Sequence, residues 1–199
     1  VATGNALFAF VANRIGDAGF IVAIALSFRW LGTLEGSAVG GGLTALQARL
    51  LALAFVVPAV VKSAQLPFTP WITRALEGPT PSSAIFYGSV MVHAGVYLLL
   101  RLEPLLIQAP DVMVLLVLLG AATALTAHLA GLVQTDVKSA LIHATVAQVG
   151  LMFVAIGLGW FEPAAWYLGL HAAWRAWQFL LAPSYMQLIA GPARPVPDW

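Results

Sequence analysis

The chain alternates between long apolar runs and short stretches rich in glycine, proline and polar residues. A helix needs about 20 predominantly apolar residues to cross the hydrocarbon core of a bilayer. The pattern therefore predicts six membrane-spanning helices, joined by short loops and followed by a polar tail over residues 191–199. The predicted spans are Asn5–Leu31, Ala45–Leu66, Pro81–Leu102, Val112–Val133, Ser139–Leu158 and Ala164–Ala190.

The composition agrees with this pattern. Hydrophobic residues make up 61% of the 199 residues and charged residues only 9%, against about 25% charged residues in an ordinary soluble domain. The mean hydropathy is +0.91. A soluble globular domain is thereby excluded as the default, and we expect an all-α, multi-pass transmembrane helix bundle that forms one domain over residues 1–199.

The charge and the residue types narrow the possible functions. A net charge of +1 gives no field that favours nucleic acid as a partner. Cysteine is absent, which excludes a thiolate metal site and a cysteine nucleophile. No spacing is typical of a zinc, nucleotide or Ser-His-Asp site, so we expect no metal, no cofactor and no catalytic site of the chain's own. The chain opens inside an apolar stretch at Val1, and we expect it to be a fragment of a longer protein.

Ionisable residues inside the predicted spans are the candidate functional groups, because a charge at the centre of a bilayer costs about 2.5–3.5 kcal/mol. Arg14 and Asp17 are three residues apart in the first span and share a helix face. They fit a structural ion pair and, equally, a carboxylate that stores or modulates a proton beside its arginine. His93, near the middle of the third span, fits either a packing residue or a member of a relay.

Lys62 lies near the end of the second span, between Pro58 and Pro67. Pro58 has no N–H, so the carbonyl of Ala54 loses its partner and the helix should kink or unwind there. A bilayer tolerates such a break only where it is buried in protein or lines water. Lys62 is therefore either a group that can release its proton beside the break or a lysine that snorkels to the interface.

The last predicted span holds His171 and Arg175, four residues apart on one face, and Pro183 should bend this helix further on. Arg175 lies roughly 16–22 Å from either predicted end, too far to reach the interface. Arginine keeps its proton, so Arg175 can set a field but cannot carry a proton. Lys138, at the start of the fifth span, is interfacial or, if the helix starts earlier, a buried cation. Acid–base groups strung across several spans predict a proton path at mid-membrane.

Seven blocks of the chain stand in the order and register of one known family: Asn13–Asp17, Lys62–Pro67 followed by Trp71, Gly78–Ala84, Met91–Val92, Ala94–Leu98, Val133–Lys138 and Ala144–Gly150. They resemble the antiporter-like membrane subunits of respiratory complex I, most closely the subunit L type (mitochondrial subunit 5). The large subunit of Mrp-type Na⁺/H⁺ antiporters shares the pattern. The resemblance covers nearly the whole chain.

This resemblance implies roles for individual residues. Lys62 falls on the family's central lysine in a broken helix, the proton-switching group, and Asp17 on an acidic position near it. Lys138 falls on a connecting lysine of the relay, and His171 on a histidine of the second broken helix. The family's glutamate that pairs with the central lysine, and its later helices, lie outside these residues. We therefore expect the chain to represent about half of the family's helix set and to be unable to pump alone.

The departures from the family pattern also carry information. Arg175 replaces a relay lysine and leaves open whether a proton passes this position. Tyr87 and Tyr167 replace histidines, and His93 stands where threonine is usual. The block from His171 to Ser184 resembles a divergent branch, the membrane subunit of Dab-type inorganic-carbon accumulation complexes. That likeness implies a large soluble zinc protein, similar to carbonic anhydrase, as a partner.

Two functions follow from these observations. The first is a proton- or Na⁺-translocating subunit of a complex in a bacterial inner membrane, serving either inorganic-carbon uptake or, as subunit L, NADH:quinone oxidation with the other complex I subunits. The second is a non-conducting membrane scaffold for a soluble enzyme, which Arg175 favours. The predicted relay residues are Lys62, Asp17, Lys138 and His171, the field-setting or relay residues are Arg175, Arg14 and His93, and the helix breaks are Pro58, Pro67 and Pro183.

Overall fold

The computed structural model describes residues 2–33, 42–75 and 80–182, and in these ranges all the regular structure is helical. A π-helical segment, Ala84–Ser89, continues the short α-helix Thr80–Ser83. Pro183, the polar tail and most of the loop Gly32–Gly42 lie outside the described residues. The α-helices are α1 (Ala2–Leu31), α2 (Ala45–Lys62), α3 (Thr69–Arg74), α4 (Thr80–Ser83), α5 (Ala94–Arg101), α6 (Glu103–Leu106), α7 (Pro110–Leu132), α8 (Val137–Gly157) and α9 (Phe161–Leu181).

Five of the described helical segments are long and apolar enough to cross a membrane. The sixth predicted span corresponds to α9, which has 21 residues but does not reach the hydropathy of the other five. Polar residues at Glu162, His171, Arg175 and Gln178 are the reason. The five segments are Thr3–Leu31, Ala45–Lys62, Ala84–Arg101, Pro110–Leu132 and Val137–Gly157.

Helices α7 and α8 form an antiparallel hairpin held together by close backbone contact. A Cβ at Gly120 would lie 2.5 Å from the carbonyl oxygen of Gly150, and a Cβ at Gly150 would lie 2.7 Å from the carbonyl oxygen of Gly120. Near the open end of the hairpin, Gly157 packs in the same way against Met113. Small residues let helices approach where lipid gives no hydrophobic drive for association. Apolar residues are distributed around both helices, so the glycine contact identifies their packed faces better than the apolar pattern does.

Helices α1 and α2 pack antiparallel through a second glycine contact. Gly16 of α1 faces Val61 of α2, and Gly19 faces Val57 and Pro58. Much of the remaining surface of α1 is apolar and exposed, as expected of a helix that contacts lipid or further transmembrane helices. The contact places the middle of α1, with its charged residues, beside the C-terminal end of α2.

Candidate functional site

The second helix is interrupted after Lys62, and Pro58 does not unwind it. Helix α2 continues through Pro58 to Lys62, so the chain does not unwind at Pro58, and a kink there stays a prediction. Proline removes one hydrogen bond, and Gly16 and Gly19 leave room for α1 to pack directly against this turn. The interruption runs from Ser63 to Phe68 and includes Pro67.

Side chains supply hydrogen bonds to the backbone that the interruption exposes. The Leu66 N–H donates to Oγ1 of Thr123, on α7, at 3.0 Å. The Trp71 indole N–H donates to the Val61 carbonyl at 2.8 Å. The Thr69 hydroxyl donates to the Ala64 carbonyl at 2.9 Å. Because irregular backbone at membrane depth needs such partners, this bonding explains how the chain keeps a break beside Lys62.

Lys62 binds two residues of α1. Its Nζ donates to Oδ1 of Asn13 at 3.0 Å and lies 3.5 Å from Oδ1 of Asp17. The other carboxylate oxygen of Asp17 pairs with Arg14. Asp17 is thus shared between two cations, and the predicted pair Arg14–Asp17 forms as part of a larger group. Asn13 is a site residue that no charge marks in the sequence, although it stands one turn before Asp17 on the same face.

Lys62 and Asp17 line a cleft of about 230 Å³ between α1, α2 and α5. Its other walls are Phe20, Pro58, Ala94, Gly95 and Leu98. The side chains of Lys62 and Asp17 are 31% and 32% exposed. This exposure is intermediate between a buried ion pair and a surface pair, and it leaves Lys62 open to exchange a proton or ion with the cleft.

A second interruption divides the third predicted span. The π-helical segment Ala84–Ser89 is followed by a turn over residues 90–93, and α5 begins only at Ala94. His93 stands at the N-terminus of α5 and is 3% exposed. Sequence periodicity predicted one continuous helix here, because no proline marks the break. The π-helix turn brings His93 towards α9.

A chain of hydrogen bonds joins this second interruption to α9. Nε2 of His93 lies 2.9 Å from Nδ1 of His171. Nε of Arg175 donates to Nε2 of His171 at 3.2 Å, and its Nη1 donates to Oε1 of Gln178 at 2.8 Å. His171 and Arg175 are both buried. The two histidines that the sequence placed on separate spans are therefore direct partners.

The two interruptions meet at Gly95. A Cβ at Gly95 would overlap the Ala59 carbonyl and the Ser63 hydroxyl, so α5 touches the end of α2 at this point. Three buried polar atoms near these breaks make no hydrogen bond of good geometry within the described residues: Ser63 Oγ, Gln65 Oε1 and His93 Nδ1. The backbone of Ser89, one turn before His93, is a hydrogen-bonding neighbour of the His93 ring. The site therefore contains unused hydrogen-bonding capacity between the lysine and the histidines.

Lys138 occupies a different place from Lys62. It lies half-buried in the first turn of α8, where Asp136 accepts hydrogen bonds from the backbone N–H groups of Lys138 and Ser139. Burial opposes ionisation of Asp136, but the hydrogen bonds from Ser139 and Lys138 and the charge of Lys138 outweigh it and lower the pKa of this carboxyl. Lys138 is thus a residue of a capped helix end, and it does not line the cleft beside Lys62.

The described residues offer no metal site: nowhere among them do three His, Cys, Asp or Glu side chains come together in a group that could hold an ion. Their chemistry is that of acid–base groups at two helix breaks. Such an arrangement defines a class, the multi-pass membrane proteins whose discontinuous helices carry ionisable residues.

The family follows from comparison with known proteins. Residues 2–189 match the family described as NADH:quinone oxidoreductase/Mrp antiporter, transmembrane. The chain belongs to this family of antiporter-like membrane subunits, which confirms the resemblance seen in the sequence blocks. It is accordingly an integral membrane protein.

Individual relatives agree with this assignment. The chain is 39% identical over 192 residues to NADH-quinone oxidoreductase subunit L of Pseudomonas aeruginosa, covering 89% of this chain and 30% of that protein. It is 38% identical over 189 residues to NADH-ubiquinone oxidoreductase chain 5 of Metridium senile, covering 93% of this chain and 31% of the relative. The chain therefore spans less than a third of the length of these relatives.

A solved structure, that of the Mrp complex from Dietzia sp. DQ12-45-1b, shares the fold. The TM-score is 0.85 at 28% sequence identity, and the match covers 88% of this chain and 20% of the Mrp chain. The all-α, multi-pass fold predicted from the sequence is thus confirmed as part of an antiporter-like fold.

Proposed function

We propose that this chain is the ion-translocating part of an antiporter-like subunit, with Lys62 as its switching group. The observation that carries the proposal is the position of Lys62: it ends an interrupted helix, bonds to Asn13, pairs with Asp17 and opens on a cleft. A lysine in this position can exchange a proton with the cleft while it keeps its contacts with Asn13 and Asp17 of α1.

The sharing of Asp17 suggests how the switch works. Its carboxylate lies between Lys62 and Arg14, and one of these cations keeps its charge at all times because arginine does not deprotonate. When Lys62 releases its proton, Asp17 remains paired with Arg14 and Asn13 remains available to Lys62. When Lys62 is protonated, Asp17 forms ion pairs with both Lys62 and Arg14. The pair therefore responds to the charge state of Lys62 without leaving a bare carboxylate in the membrane.

The roles of Lys138, His171 and His93 as further relay members belong to the same proposal. His93 and His171 support it by their direct contact and by the position of His93 next to the break at Gly95. Lys138 has weaker support, because it lies at a capped helix end away from the cleft. Whether the translocated ion is H⁺ or Na⁺ is a question for the transport assay.

The transport test uses the full-length protein in its complex, reconstituted in liposomes. Lys62→Ala removes the amine, and Lys62→Arg keeps the charge and the ion pair but cannot release a proton. We expect both variants to assemble and to lose ion translocation. Arg49→Lys is the matched control, since Arg49 pairs with Asp111 at an exposed position near the other end of α2 from Lys62, roughly 20 Å along the helix. Full translocation by complexes that carry either Lys62 variant would show that Lys62 is not the switching group. It would instead support the scaffold function, in which this subunit does not conduct and other subunits of the complex carry the ion.

We further propose that the complex is of the NADH:quinone oxidoreductase type, because relatives of this chain at 38–39% identity are a subunit L and a chain 5 of such complexes. The His171–Ser184 block favours the second candidate, an inorganic-carbon uptake complex with a soluble zinc protein. Purification of the intact complex from its native membrane, followed by mass spectrometry, separates the two. Flavin and iron–sulfur subunits support the first, and a large zinc protein supports the second.

A further inference from the structure

The hydrogen bonds around His171 determine where its proton sits. Arg175 donates through Nε to Nε2 of His171, and a guanidinium has donors only. Nε2 of His171 must therefore be the unprotonated, accepting nitrogen. A neutral His171 then carries its hydrogen on Nδ1, which points to His93 at 2.9 Å.

The tautomer of His93 follows in the same way. Because Nδ1 of His171 donates, Nε2 of His93 must accept, and a neutral His93 carries its hydrogen on Nδ1. A proton added to Nε2 of either ring would face another N–H and break the bond. As long as Arg175 holds this geometry, both histidines are neutral and each is confined to one tautomer.

We propose that Arg175 is a positioning residue that fixes the tautomers of His171 and His93 and thereby ends proton transfer at the contact between His93 and His171. This inference rests on the function proposed above. A lysine at position 175 can lose its proton when buried and can then accept one from His171, whereas arginine cannot. His93 is consequently the last group that a proton from the Lys62 side can reach, and only after its bond to His171 opens.

The surroundings of the pair support a fixed arrangement. The exposed fraction of the whole residue is 3% for His93, 6% for His171 and 7% for Arg175. The ring of Tyr167 packs edge-on against His171 with ring centroids 5.8 Å apart, and Gln178 accepts a hydrogen bond from the far side of the guanidinium. On its own side of the contact, His93 has the backbone of Ser89 as a hydrogen-bonding neighbour. Gln178 therefore holds Arg175 and Tyr167 packs on His171, so both partners of the Arg175–His171 hydrogen bond are fixed.

The first test reads the tautomers directly, by solid-state NMR of the full-length protein labelled with ¹⁵N-histidine in lipid at pH 7. Protonated and unprotonated ring nitrogens have different ¹⁵N shifts, so the tautomers of His93 and His171 can be read separately once variants assign the signals. We expect both residues to be neutral with hydrogen on Nδ1. Arg175→Met, which removes the donor, should let the Nε2–H tautomer of His171 appear, and Arg49→Met should leave both signals unchanged. A wild-type His171 protonated on Nε2 would overturn the proposal.

The second test measures passive proton entry into liposomes that contain the full-length complex. Arg175→Lys should speed proton entry relative to wild type, and Arg49→Lys should not. A wild-type rate in Arg175→Lys would overturn the proposed stop, even where the Lys62 variants lose translocation and the proposed function stands. The NMR result does not depend on translocation, so failure of the inference and failure of the proposed function remain distinguishable.

Discussion

The bond between Leu66 and Thr123 should hold the interruption in place, and replacing Thr123 with valine tests this. Thr123 is fully buried, and its hydroxyl accepts the Leu66 N–H at 3.0 Å while donating to the Leu119 carbonyl of its own helix at 2.8 Å. Valine has nearly the same shape but no acceptor. The substitution therefore leaves one backbone N–H of the interruption without its partner.

The magnitude follows from the cost of an unsatisfied donor. Leaving a buried polar group without a hydrogen bond costs about 1–3 kcal/mol. If this cost falls on the local opening of the segment, the open population rises by roughly 5- to 150-fold, since 1.4 kcal/mol is a factor of ten. Hydrogen–deuterium exchange at the Leu66 amide, measured by mass spectrometry on the full-length protein, should accelerate by about this factor.

Thr126 provides the matched control on the same helix. Its hydroxyl bonds the Ala122 and Thr123 carbonyls of α7 itself and reaches no other segment. Thr126→Val should leave exchange at Leu66 unchanged, and Thr123→Ser, which keeps the hydroxyl, should restore slow exchange. Equal exchange at Leu66 in Thr123→Val and Thr126→Val would refute the reasoning, because the backbone of the break would then be held by something other than this bond.

Two further predictions concern packing and a helix cap. Gly95→Ala should destabilise the protein by about 1–3 kcal/mol, because the new methyl group overlaps the end of α2. Gly169→Ala is the control and should not destabilise it, because a Cβ at Gly169 would have no atom within 4 Å. Thermal unfolding of the two variants measures the difference. Asp136 caps α8, and its pKa is lower in the folded protein than in the unfolded chain. Its contribution to the free energy of unfolding is therefore complete at a pH above the ordinary pKa of a carboxyl group, and it is lost as the pH falls through the lowered pKa. Asp136→Asn should keep the cap but remove this acid dependence, and Asp136→Ala should cost about 1 kcal/mol at neutral pH, both seen in unfolding curves measured against pH.

The sequence predicted the long helices well because most of them are long apolar runs. Helix α1 ends at Leu31 as predicted, and α8 begins two residues before the predicted Ser139. The residues singled out for their charge, Lys62 and Asp17, do come together. Helix existence and the cost of a charge in lipid are local properties of the chain, and a pattern along the sequence can therefore reveal them.

The contacts between helices could not be predicted in the same way. Asn13 reaches Lys62 across 49 residues of sequence, and His93 reaches His171 across 78. Such contacts depend on how each helix is rotated about its axis. In a membrane-spanning helix the side that faces lipid and the side that packs on other helices are both apolar, so the apolar pattern does not reveal that rotation. The π-helix before His93 also lacks a sequence signal, since neither proline nor a polar run marks it.

The two helix breaks are best understood together. A continuous α2 would carry its backbone hydrogen bonds past Lys62 and needs nothing from Thr123 or Trp71. The chain instead commits buried side chains from α7 and α3 to the freed backbone, and it keeps glycine at position 95 so that the second break can touch the first. An interruption serving only as a turn would need neither buried hydrogen-bonding side chains nor close contact with another broken helix. Support of this kind is expected where irregular backbone must stay fixed inside a membrane beside an ionisable group, and Lys62 and His93 are the groups that it positions.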